Sequence, residues 1–160
     1  MDLRDHPPPR RSRRPADLTA SFEWTRAPGV GPPLSVLGDL SGRRIAELGC
    51  GSGHNLAHLA AHHRLHAVGI DHDPTKIRRA RVRYGAIPGL TFVHADATTH
   101  LREQPAGSLD LCLSIFGAFS FTDPAPLVAA VAHALRPGGL LALTFRTNDT
   151  TDLVLILTRN

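Results

Sequence analysis

From residue 44 onward, short apolar runs alternate with segments whose apolar residues recur at every third or fourth position. Continuous apolar runs of this length read as strands buried on both faces, and the longer spacing reads as amphipathic helix. The pattern predicts strands at 45–48, 66–71, 90–95, 109–115 and 140–145. It predicts helices at 55–63, from Asp73-Pro74 to about Tyr84, at 98–103, and from Asp123-Pro124 onward with Leu127, Val128, Val131 and Leu135 at helical spacing. Asp-Pro places a capping acid before a proline at the first helical position, where the missing N–H costs nothing. Gly85 and Pro137-Gly138-Gly139 read as helix stops. Strand–helix alternation of this kind predicts an α/β, Rossmann-like, doubly wound and mostly parallel sheet with helices on both faces.

The two ends read differently. Residues 1–17 are rich in Pro and Arg and nearly devoid of apolar side chains, so they are expected to be a disordered basic tail ahead of one domain over 18–160. Within 18–40, Phe22 and Trp24 are followed by a Gly/Pro loop, and Leu34, Val36, Leu37 and Leu40 suggest a short amphipathic helix. After the fifth strand, Asn148-Asp149-Thr150-Thr151 is a cluster of turn formers and 153–157 is purely apolar. The expectation is a hairpin, with 153–158 folding back antiparallel on 140–146.

At 160 residues, 42% hydrophobic and 20% charged, the composition is that of an ordinary globular domain. The formal charge is +4, and residues 1–20 hold five Arg against three Asp. No basic face with interleaved aromatics is evident along the chain, so nucleic acid is not an expected partner. Two cysteines, Cys50 and Cys112, are too few for a disulfide framework and read as small packing residues in a reducing, cytoplasmic setting. No apolar run reaches membrane-span length, so no membrane is expected either. The histidines include His58 and His62 at i, i+4, but no third ligand lies nearby in sequence, so they read as a solvated helix face and no metal is expected.

Chemistry concentrates where strands end, because open α/β sheets bind ligands at the carboxyl ends of their strands. The first predicted strand runs into Glu47-Leu48-Gly49-Cys50-Gly51-Ser52-Gly53, and glycines let a ligand approach the main chain closely. Asp71 closes the second strand, 18 residues beyond Gly53, a separation at which a carboxylate reaches ribose hydroxyls. Asp96 follows the third strand, and Ser114-Ile115-Phe116-Gly117 the fourth. Asp71 and Asp96 could each instead cap the following helix, although Asp73 is better placed than Asp71 to do so.

These segments, with Gly69-Ile70-Asp71, Phe92-Val93-His94-Ala95-Asp96-Ala97, Leu109-Asp110-Leu111-Cys112-Leu113-Ser114 and Leu135-Arg136-Pro137-Gly138-Gly139, resemble the successive motifs of class I S-adenosylmethionine-dependent methyltransferases. Phe22-Glu23-Trp24 ahead of the Gly/Pro loop, and Gly117-Ala118-Phe119-Ser120-Phe121-Thr122-Asp123-Pro124, resemble a subgroup of small bacterial methyltransferases. The resemblance covers about residues 22 to 145. It implies S-adenosyl-L-methionine as cofactor, with Gly49, Cys50 and Gly51 against its methionine part, Gly53 in the same cofactor-binding turn and Glu47 orienting that turn. It further implies Asp71 on the ribose hydroxyls, His72 against the adenine, Asp96 and the Ala97 N–H on the adenine edge, and Ser114 near the sulfonium. Compared with that family the chain is C-terminally short and lacks part of the usual last strands.

The resulting expectation is methyl transfer to a small-molecule acceptor. A non-catalytic S-adenosylmethionine-binding partner subunit is the alternative, and the exposed C-terminal edge suggests a homodimer. A dinucleotide oxidoreductase is disfavoured, because the glycines are spaced GxGxG and not GxGxxG. No catalytic base is identifiable; His54 is reachable from the glycine turn but is equally placed to be a cap-region side chain.

Overall fold

A computed structural model describes residues 18–160. The expected basic tail at 1–17 lies outside the described residues. The strands are β1 (Arg44–Leu48), β2 (His66–Asp71), β3 (Leu90–His94), β4 (Leu109–Ile115), β5 (Leu135–Arg146) and β6 (Asp152–Thr158). The helices are α1 (His54–His62), α2 (Pro74–Tyr84), α3 (Ala97–Glu103) and α4 (Pro124–Ala134). They form one six-stranded sheet in the order β3-β2-β1-β4-β5-β6, parallel except for β6. Strand order reverses between β1 and β4, which creates a crevice at their carboxyl ends.

Local chemistry explains the elements. Asp73 caps α2, its Oδ1 accepting the Thr75 and Lys76 N–H groups at 2.8 and 3.2 Å, with Pro74 at the first helical position. Asp123 caps α4 in the same way through Ala125 N–H, ahead of Pro124. Two cores follow from the two faces of the sheet. Leu56, Leu59, Ile77 and Tyr84 of α1 and α2 pack on one side with Phe22 and Trp24, while Leu101, Leu127 and Val131 of α3 and α4 pack on the other. The predicted helix around 34–40 is a 3₁₀ turn, Leu34–Leu37.

The C-terminal hairpin forms as expected, with Leu140 opposite Thr158 and Arg146 opposite Asp152. Val154 and Ile156 turn towards the α1/α2-side core, and Arg146 Nε donates to Asp152 Oδ1 at 2.8 Å. One expectation is corrected. Pro137-Gly138-Gly139 does not stop a helix: α4 already ends at Ala134, and the tripeptide lies inside β5. There the pairing with β4 shifts register between Leu109 and Leu111, and Arg136 Nε donates to Asp110 Oδ1 at 2.6 Å across the irregularity. A bulge accommodates a proline, which cannot donate to the ladder.

Candidate cofactor site

The turn after β1 is held by β2. The N–H groups of Gly49 and Cys50 both donate to the Ile70 carbonyl, at 2.8 and 2.9 Å. Asp71 is buried and accepts on both oxygens: the Gly51 N–H on Oδ2 and the Asp73 N–H on Oδ1, each at 2.8 Å. Gly49 (φ 75°) lies against the segment after β4, where an added Cβ would come within 2.5 Å of the Ala118 nitrogen. Gly51 (φ 56°) differs, because an added Cβ would meet nothing within 4 Å. Open space therefore lies over a main-chain segment already in the left-handed region.

Beneath the turn Glu47 is buried and leaves Oε2 without a partner among the described residues. Burial raises its pKa to about 8; the negative charge of Asp71 adds to the rise and the Leu56 N–H opposes it. Near neutral pH this carboxyl is therefore mainly protonated. Burial also pushes the Cys50 thiol up and takes Cys112 to about 12, so neither is a reactive thiolate.

A cavity of about 450 Å³ opens over this turn, bounded by the residues that follow β1, β2, β3 and β4. Of the sequence-predicted residues, Gly49, Cys50, Gly51, Asp71, His72, Asp96 and Ala97 line it together. Glu47, Gly53 and Ser114 do not. Glu47 and Ser114 are buried behind the wall, where Ser114 Oγ accepts the Phe119 N–H at 3.4 Å; an added Cβ on Gly53 would run into the Phe92 ring. Asp96 caps α3, its Oδ1 accepting the Thr99 N–H at 2.8 Å, and it also lines the cavity. That hydrogen bond leads in holding its pKa below the usual carboxylate value.

Sequence reasoning missed Lys76, which also lines the cavity. It sits in the first turn of α2, opened by Asp73-Pro74 directly beyond Asp71, and that position was the available signal. Ile115, Phe116, Gly117, Ala118, Phe121 and Thr122 complete the wall beyond β4 and carry no titratable side chain. Phe116 holds φ 48°, an unusual value for a bulky residue, and the Arg26 guanidinium stands 5.1 Å from its ring centroid.

His54 is not at the cavity. Its Nδ1 lies 2.6 Å from the Tyr84 hydroxyl, and burial lowers its pKa. His58 is buried, not solvated, with Nδ1 3.0 Å from the Thr19 carbonyl oxygen. No cluster of three or more metal-ligating side chains occurs among the described residues. Nor, among them, is any helix long and apolar enough to cross a membrane.

A parallel sheet reversing at β1/β4, with a glycine turn and two strand-end carboxylates around one cavity, has the architecture of a Rossmann-like methyltransferase. A family model described as a methyltransferase domain matches residues 45–139, and the chain belongs to that family. It is 34% identical over 105 residues to a phthiotriol/phenolphthiotriol dimycocerosates methyltransferase of Mycobacterium leprae, a match covering 65% of this chain and 38% of that protein. It is 36% identical over 140 residues to a ubiquinone biosynthesis O-methyltransferase of Xylella fastidiosa, covering 78% of this chain and 56% of that protein. The chain thus spans about half, or less, of the length of these relatives. Among solved structures it resembles a SAM-dependent methyltransferase from Thiobacillus denitrificans in complex with S-adenosyl-L-homocysteine, with a TM-score of 0.58 and 24% identity, covering 69% of this chain and 45% of that one.

Proposed function

We propose that this chain binds S-adenosyl-L-methionine in the cavity over the Gly49–Gly51 turn and transfers its methyl group to a small-molecule acceptor. The observation that carries this reading is the convergence of Gly51, Asp71 and Asp96 on one cavity at the strand-order switch of a methyltransferase-family fold. The residues fit the group. The unpartnered Glu47 Oε2 lies behind the turn that would receive a cationic amino group, and the space over Gly51 admits a ligand close to the main chain.

In this reading the turn at Gly49, Cys50 and Gly51 cradles the methionine portion, with Gly53 shaping the turn and Glu47 orienting it from beneath. Asp71, held by two backbone donors, takes the ribose hydroxyls in charge-assisted hydrogen bonds. His72 lies against the adenine, and Asp96 and the Ala97 N–H take its edge. Ser114 acts indirectly, by fixing the turn that carries Phe119. When bound, the cofactor supplies a sulfonium-activated methyl group. The protein's part is to hold the acceptor in line and exclude water, and positioning of that kind supplies on the order of 7–11 kcal/mol.

Among the described residues the wall beyond β4 carries no titratable side chain, so this reading assigns no general base there. The names of the relatives support a small-molecule acceptor over a macromolecule. A cytoplasmic setting goes with this reading, supported by the free, buried Cys50 and Cys112. A homodimer through the β6 edge is supported by the exposure of Leu153, Leu155 and Leu157 there.

Calorimetric titration with S-adenosylmethionine and with NAD, on wild type and Asp71→Ala, tests the binding reading. Saturable binding of S-adenosylmethionine alone, weakened in the variant, is expected; NAD binding alone would falsify it. A screen of small acceptors with isotopically labelled methyl donor tests turnover. Binding without transfer to any acceptor would leave the non-catalytic alternative in its place.

A further inference from the structure

Charge is distributed over this molecule very unevenly. Residues 54–89 hold six of the eighteen basic side chains and only two of the fourteen acids, a net +4 that equals the charge of the whole chain. The remaining twelve bases and twelve acids cancel. Folding concentrates this segment further, because it forms α1 and α2, which share one face of the sheet. The opposite layer is neutral: α3 carries Arg102 and Glu103, and α4 carries no Asp, Glu, Lys or Arg. Five of the six bases lie on α2, which carries no acid, and the turn after α1 brings Arg64 to the groove that Arg83 borders.

On α2 the cations divide by direction. Lys76 lines the cofactor cavity, and Arg81 donates through Nε and Nη2 to the Phe92 carbonyl, at 3.0 and 2.7 Å. Arg78, Arg79 and Arg83 are exposed and flank Val82, which is 85% exposed. Val82 and Arg83 also border a groove of about 1530 Å³ towards the end of α1, with His62, His63 and Arg64 on its rim and Leu65, Ile87 and Pro88 among its apolar residues. That volume exceeds what a small-molecule pocket needs, which points to an extended surface and not to a single ligand.

We propose that the α1/α2 face docks on an anionic bilayer surface, with Arg78, Arg79, Arg83 and Arg64 meeting lipid headgroups and Val82 dipping between them. Clustered Lys/Arg with an apolar side chain in their midst is the chemistry of interfacial attachment, which needs no spanning segment. Nucleic acid is the poorer fit. Single-strand binders stack bases on exposed aromatic rings, and the phenolic ring at this groove, Tyr84, is buried. The cofactor cavity and the groove share no lining residue, while Arg78 and Arg79 border a depression beside Ser52 of the glycine turn.

Cosedimentation with vesicles of phosphatidylcholine, with and without phosphatidylglycerol, tests the proposal. Wild-type protein is expected to pellet with the anionic vesicles alone and to be released by added salt. Arg78→Gln/Arg79→Gln is expected to lower partitioning by at least about tenfold, since each cation near such a surface contributes measurably. Val82→Gln lowers it less, and Arg102→Gln on the opposite layer leaves it unchanged. Absence of binding to anionic vesicles, an equal loss from Arg102→Gln, or tighter binding to an oligonucleotide than to vesicles overturns the proposal. If the double variant melts early, the lipid and salt dependence of wild type, with the Arg102 control, still decides.

Discussion

The carboxylate of Asp71, at the end of β2, accepts the backbone N–H of Gly51, in the turn after β1, at 2.8 Å. One residue thus fixes the shape of the glycine turn and stands in the cavity that the turn borders. Asp71→Asn replaces an acceptor oxygen with an NH₂ that must face either the Gly51 or the Asp73 N–H. Losing one buried, charge-assisted hydrogen bond costs about 2 kcal/mol. Urea unfolding should register that loss, and S-adenosylmethionine affinity should fall with it. A variant that loses stability but binds as well as wild type would show that Asp71 serves only the fold.

Two glycines in the same turn should fail differently. Gly49→Ala combines a left-handed φ with a Cβ 2.5 Å from the Ala118 nitrogen, which is main chain and cannot swing aside. The expected cost is about 3 kcal/mol or more, read as a lowered unfolding midpoint. Gly51→Ala keeps the backbone cost, about 1–2 kcal/mol, but its methyl meets no protein atom. Its larger effect should be on cofactor affinity, because the methyl occupies the ligand's space. Equal effects of the two variants on stability and binding would sink the distinction.

The glycine turn, the strand-end acids and the final hairpin were legible because each is a local pattern: spacing, alternation, or turn formers before an apolar run. What required three dimensions was anything decided by packing between segments. Pro137-Gly138-Gly139 reads as a helix stop until β4 is seen pairing with Leu135 on one side of it and Leu140 on the other. His54 follows the glycine turn in sequence, but Tyr84, thirty residues away, captures its ring. Ser114 follows the run of β4 towards the cavity, and strand alternation turns its hydroxyl inward to the Phe119 N–H. Lys76 reaches the cavity only because α2 starts beside Asp71.

The hairpin gives a face-specific expectation. Ile156 packs against the α1/α2-side core, while its neighbour Leu155 points outward and is 41% exposed. Ile156→Ala should cost about 2 kcal/mol and Leu155→Ala less than about 0.5 kcal/mol. Chemical denaturation of the two variants measures both. The reverse order would mean that β6 pairs one residue out of register, since a single-residue slip exchanges the two faces of a strand.

Glu47 yields a pH dependence with a defined sign. Its folded pKa, about 8, lies above the ordinary 4.5, so between those values the folded state binds more protons than the unfolded one. Its contribution to stability is fully present below pH 4.5 and is lost as pH rises through about 8. The slope is at most about 1.4 kcal/mol per pH unit. Denaturation of the ligand-free protein across this window should show that decline, and Glu47→Gln should flatten it. If the cofactor's amino group approaches the unpartnered Oε2, its positive charge favours the carboxylate, and binding near pH 7 must release a proton. Calorimetry in buffers of different ionisation enthalpy measures that release directly, and Glu47→Gln should abolish it. Binding with no proton release in wild type would remove Glu47 from the ammonium site and leave it a buried, protonated group beneath the turn.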